Sequence, residues 1–155
     1  MSSVENYIPY APNAQGLTEA LIDLKSTMPS QTVFKVTGYK TTAFENVSEG
    51  DALYMRTSDG QVGKASAANG LQENAQVVGF ANADASSDTT VKVIVIGIKS
   101  MSGLDAGDLY FLSPSTAGAI TLTPPSSAGQ AVVRVGEAST TTEFAIRIEP
   151  PIKLS

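Results

Sequence analysis

Two aspartates invite a chemical reading first. Asp51 and Asp108 each follow a glycine, in Glu49-Gly50-Asp51 and Ala106-Gly107-Asp108, at a separation of 57 residues. Paired carboxylates can share a proton, or hold calcium with Asp105 as a further oxygen donor. A calcium loop, however, needs a full series of oxygen ligands at alternating positions, and neither aspartate is followed by one. An aspartate beside a turn glycine is explained more simply by its carboxylate accepting from nearby backbone N–H groups. Both aspartates are therefore read as turn residues, copied together with the unit that contains them.

The nucleophile inventory points the same way. Serine and threonine are plentiful, but the chain has neither histidine nor cysteine. A serine triad and thiolate chemistry are both excluded, as are zinc–thiolate sites, iron–sulfur clusters and disulfides. A serine–lysine pair needs one distinctive lysine, and none stands out. The phosphate-cradling patterns G-x-x-x-x-G-K-[ST] and G-x-G-x-x-G are absent, as is the G-x-S-x-G elbow. With no tryptophan and with its carboxylates mostly in turns, the chain does not read as a glycosidase. The sequence predicts no enzyme, no cofactor and no metal centre.

What remains is binding. Tyr7, Ile8, Pro9 and Tyr10 form an extended stretch of apolar and aromatic residues, held out of the helical region by the prolines at 9 and 12. Aromatic anchors in an extended arm suit docking on a partner, and equally suit folding back onto their own domain. Net charge is −5, and the ten basic residues are scattered rather than clustered, so no nucleic-acid surface is expected. The longest apolar run, Val93–Ile98, is too short to span a bilayer, and Met1-Ser2-Ser3-Val4-Glu5-Asn6 lacks the basic start and apolar core of a signal peptide. No membrane partner is expected, and synthesis in the cytoplasm is.

The elements around these residues are read as strands. Residues 1–30 are set apart as an N-terminal arm, in which Leu17, Ala20, Leu21 and Leu24 share one short helical face. From residue 31 to 155 the chain reads as one all-β domain, a small barrel or sandwich. Strands are expected at Thr32–Tyr39, Leu53–Met55, Val62–Ala65 and Gln76–Ala81, with a hairpin turn at Ser58-Asp59-Gly60. Val91–Ile98 is nearly all apolar and is expected to be buried on both faces.

The second half repeats the first. Gly50-Asp51-Ala52-Leu53-Tyr54 matches Gly107-Asp108-Leu109-Tyr110-Phe111, and Val78-Gly79-Phe80-Ala81 matches Val135-Gly136-Glu137-Ala138, both at offset 57. The turn Ser58–Val62 matches Thr116–Ile120 at offset 58. Two similar β units, about 47–98 and 104–148, most economically share one core with pseudo-two-fold symmetry. The closing strands, Val91–Ile98 and Phe144–Ile148, differ in offset through a loop four residues longer in the first copy. Tyr54 and Tyr110 are read as packing residues that recur with the repeat. The end, Glu149–Ser155, is expected to lie extended on the body or on a neighbour.

The blocks Gly50–Ala65, Leu104–Ser113, Gly118–Thr121 and Val133–Ala138 resemble small virion structural proteins of tailed bacteriophages, head decoration or cement proteins in particular. Similar Gly-Asp-x-Tyr-x-Leu-Ser blocks occur in phage fibre and neck appendages, so a fibre or receptor-binding adhesin module is the alternative. The resemblance covers residues 32–150. It implies a compact β domain, a homotrimer, seated on the capsid exterior where major capsid protein subunits meet, with an N-terminal arm helping to fasten it and no catalytic residues.

Overall fold

The structure, a computed structural model, describes residues 37–155. The expected arm over 1–30, with its helical face and with Tyr7, Ile8, Pro9 and Tyr10, lies outside the described residues, as does the 32–36 part of the first expected strand. The described chain is all-β: a closed barrel of five strands with further strands beside it. Its strands are β1 (Thr37–Ala43), β2 (Ala52–Met55), β3 (Val62–Lys64), β4 (Val77–Ala81), β5 (Thr89–Ser100), β6 (Leu109–Leu112), β7 (Ile120–Thr121), β8 (Ala131–Val132), β9 (Arg134–Ala138), β10 (Glu143–Ile146) and β11 (Ile152–Lys153). One 3₁₀ turn, Glu73–Ala75, precedes β4.

The expected repeat is written directly into the sheet. Its order is β1-β3-β2-β4-β5-β10-β9-β6-β7, and β1 also pairs with β5, which closes the barrel as β1-β3-β2-β4-β5. The run β3-β2-β4-β5 is mirrored by β7-β6-β9-β10, and β5 and β10 meet antiparallel, giving a local two-fold between them. Register follows the same rule. Leu53 lies opposite Gly79 and Tyr110 opposite Gly136, and each pair of strands bulges at the next residue, between Leu53 and Tyr54 and between Tyr110 and Phe111.

The two Gly-Asp corners are hydrogen-bonded alike. Gly50 N–H donates to Ala81 O at 2.9 Å and Gly107 N–H to Ala138 O at 2.7 Å. Asp51 N–H donates to Ser48 O at 3.0 Å and Asp108 N–H to Asp105 O at 3.2 Å. Duplicated glycines in β4 and β9 are required by close approach. A Cβ on Gly79 would sit 2.5 Å from Ile94 O, and one on Gly136 would sit 2.2 Å from Ala145 O.

β5 carries both units. Its first part pairs with β1 and β4, and residues 97–100 pair with β10 as β1 pairs with β5. It thus ends the first unit and begins the second. A bulge leaves Val95 without a partner on β1, where Gly38 faces Ile94 and Thr37 faces Ile96. The bulge accounts for a departure from expectation. Burial on both faces holds at Val93 and Ile94, but Val95 and Ile96 at the bulge are exposed, as is Lys92 in the regular stretch before it.

Two cores result. Leu53, Val62, Ala81, Val91 and Val93 fill the barrel with Ala43 and Val47. The barrel's outer face, with Ala52, Phe80 and Ile94, packs against the second unit's Tyr110, Leu112, Val135, Phe144 and Ile146. Phe144 meets Phe80 and Tyr110 edge to face, with centroids 5.5 and 5.8 Å apart. Tyr54 and Tyr110 are not equivalent after all. Register pairs Tyr110 with Leu53 and Phe111 with Tyr54, so Tyr110 is buried while Tyr54 is half-buried beside Phe44.

The loop before β5 has seven residues (82–88) against four before β10 (139–142), three more rather than four. The C-terminal segment packs on the body: β11 pairs with β8, and Leu154 N–H donates to Gln130 O at 2.8 Å. Among the described residues no helix is long and apolar enough to cross a membrane.

Candidate functional site

In the first unit the barrel is sealed between β1 and β3. Ala43 pairs in parallel with Val62, and Phe44 N–H donates to Val62 O at 2.9 Å. The Phe44 ring caps this seam. It lies over Gly63, where a Cβ would be 2.2 Å from its Cζ, with Tyr54 edge-on at 5.8 Å and the Arg56 guanidinium 4.1 Å above it.

The second unit has no such seal. After β5 the chain passes through Met101–Ala106 into the Gly107–Asp108 corner, and among the described residues β5 and β7 are not paired. A cleft of about 630 Å³ remains between them. One wall is the end of β5 with the start of β10, from Ser100, Met101 and Ser102 to Thr142 and Glu143. The other is Gly118, Ala119 and Ile120 leading into β7, and the first unit's Glu49-Gly50-Asp51 corner forms the end. The two units are stitched together there by Ala52 N–H donating to Gly118 O at 2.8 Å and Gly118 N–H to Ala65 O at 2.7 Å.

The cleft is acidic. Glu49, Asp51 and Glu143 line it, and among the described residues no lysine or arginine does. Asp51 Oδ2 accepts from Ser48 N–H at 2.8 Å, the turn role expected of it. Glu49 Oε2 lies 3.1 Å from Lys99 Nζ, whose side chain is only 5% exposed. Asp108 is not among the cleft residues, so the two copied aspartates do not form a shared site there. Asp105 N–H donates to the Tyr110 hydroxyl at 2.9 Å. Among the described residues no three Asp or Glu gather as a cation site.

On the surface, the Arg56 guanidinium holds the Asp59 carboxyl below its ordinary range, helped by Gln61 N–H. Burial raises the Tyr39 hydroxyl, and burial with nearby Glu73 and Glu45 raises that of Tyr54.

Sequence reasoning missed the cleft and Lys99. The signal for Lys99 was present, as a charge ending an apolar run. The cleft left none, because it arises from the lack of one strand contact. No protein-family model matches the chain, and no curated protein matches it at a significant level.

Proposed function

We propose that the chain is a virion structural protein that decorates the assembled head of a tailed bacteriophage. The observation that carries this reading is the joining of two copies of one β unit through a shared strand. The copied positions are engaged in backbone corners: the Asp51 and Asp108 N–H groups bond within their own turns, and those of Gly50 and Gly107 tie the turns to the ends of β4 and β9. What has been duplicated is scaffold, which suits a part whose task is to hold neighbours together.

The resemblance of residues 50–65 and 104–138 to decoration proteins supports the same conclusion, and the body offers apolar contact points. Val95 and Ile96 are 37% and 56% exposed at the β5 bulge, and Ile152 is 65% exposed on β11. A protein that binds only the finished lattice of major capsid protein stabilises it by mass action, and many copies acting together multiply a modest affinity. In this reading the chain forms a homotrimer on the capsid exterior, with Tyr7, Ile8, Pro9 and Tyr10 as docking anchors.

The test mixes the purified chain with empty heads assembled from the major capsid protein of the same virus. Co-sedimentation, with a higher melting temperature of the heads, is the expected result. Deleting residues 2–14 should abolish co-sedimentation while leaving the β body folded. Failure of the full chain to bind heads, together with retained binding to host cells, would replace this reading with the adhesin.

A further inference from the structure

We infer that the cleft between β5 and β7 receives one extended peptide segment carrying lysine or arginine, added as a strand along the free edge of β7. Three observations lead there. The first is the free edge itself. Ser113 N–H donates to Ala119 O at 3.0 Å, so the next pair, Leu112 and Ile120, is non-hydrogen-bonded, and Ile120 turns its N–H and C=O away from β6. Among the described residues β7 is the last strand of the sheet and has no neighbour on that side. An open strand edge is a template for main-chain pairing.

The second is the other half of the molecule. By register Ile120 is the counterpart of Val62, since Leu112 faces Ile120 as Met55 faces Val62. The outward carbonyl of Val62 is occupied by Phe44 N–H. The fold therefore already contains one filled example of this position, and the second unit presents it open at the cleft.

The third is charge. Glu49, Asp51 and Glu143 stand around the cleft, and among the described residues its lining has no basic side chain. The Lys99 ammonium is already taken by Glu49, which leaves Asp51 and Glu143 to meet a new cation. Side chains of an added strand alternate between faces, so a segment with a cation at every second residue directs positive charge at Asp51 and Glu143. This inference does not rest on the capsid reading, and its test needs no capsid, so either can fail alone.

The probe is a fluorescein-labelled peptide of about eight residues, the length of an ordinary strand, alternating valine and lysine. Its partner is the full chain, and the readouts are fluorescence anisotropy and amide hydrogen exchange by NMR. The Val-Lys peptide should bind and slow exchange of the Ile120 amide by about tenfold or more, as expected of an amide drawn into a ladder. Glu143→Gln should weaken binding by about 2- to 5-fold, the range for an exposed ion pair. Glu137→Gln, on β9 outside the cleft, should leave it unchanged. Equal binding of a Val-Glu peptide, or no binding of the Val-Lys peptide, would overturn the inference. So would an Ile120 amide already protected in the peptide-free chain, since the cleft would then be filled by the chain's own N-terminal residues or by a second copy.

Discussion

Replacing Gly79 with alanine tests the barrel where two of its strands cross in close backbone contact. β4 passes β5 so closely that the new methyl would lie 2.5 Å from Ile94 O and 2.5 Å from Val93 Cγ1. Ordinary carbon–oxygen contact begins nearly 1 Å further out, so β4 and β5 must separate by that amount or the peptide must rotate. Neither is easy. Val93 and Ile94 are buried, one in each core, and both strands belong to a closed ring that cannot open on one side alone. Forcing a methyl into a packed interior costs about 1–3 kcal/mol, and a site this constrained belongs at the top of that range. For a chain of this length, about 2–3 kcal/mol lowers the melting temperature by about 4–12 °C. Gly63→Ala is the matched control. Its methyl would meet the Phe44 ring and Glu45 Oε1, half-buried side-chain atoms that can shift where backbone cannot, though the ring then gives up part of its contact with Tyr54 and Arg56, so about 1 kcal/mol is expected. Urea unfolding followed by circular dichroism reads both variants. Equal stability of Gly79→Ala and the parent, or a larger loss for Gly63→Ala, would refute the claim that backbone proximity in the ring sets the glycine.

Lys99→Met should be neutral or stabilising by about 1 kcal/mol in chemical denaturation, because it removes a buried ammonium while keeping the length of the side chain; Glu49→Gln should destabilise by about 1–3 kcal/mol, because it strands that ammonium. Tyr110→Phe should cost about 1–2 kcal/mol in the same assay, since Asp105 N–H loses its acceptor at 2.9 Å. The Tyr39 hydroxyl titrates higher in the folded chain than its ordinary 10.0, so the folded state resists deprotonation that the unfolded state accepts. Stability is then intact below pH 10 and falls as pH rises above it, and Tyr39→Phe should flatten that alkaline fall in melting temperatures measured from pH 8 to 11.

Much of this architecture was legible because its grammar is local. Glycine before aspartate marks a corner whether or not its partner strand is known, and two such corners at one offset located β2 and β6 together. Val-Gly-x-Ala in each half located β4 and β9, and the reason for its glycine became visible only when β5 and β10 were seen crossing it. Three things were not legible. That β5 serves both units depends on pairing of Lys99 with Phe144, a contact between residues 45 apart in sequence. Burial of Val95 and Ile96 was overestimated because a bulge, set by the pairing of Thr37 and Gly38, turns them outward. The equivalence of Tyr54 and Tyr110 was misjudged because similarity of type was read as similarity of place. In strands, a shift of one residue changes the face. The cleft was invisible for a related reason: among the described residues it is defined by Ile120 lacking what Val62 has.

The shared strand also governs how the molecule comes apart. If β5 leaves, the barrel opens and β10 loses its neighbour in the same event, so neither half survives as an independent remnant. Heat or denaturant should then dissolve both copies in a single cooperative step, with calorimetric and van't Hoff enthalpies in agreement. Neither copy is a spare module that could be discarded, because each is completed by a stretch of the same twelve residues.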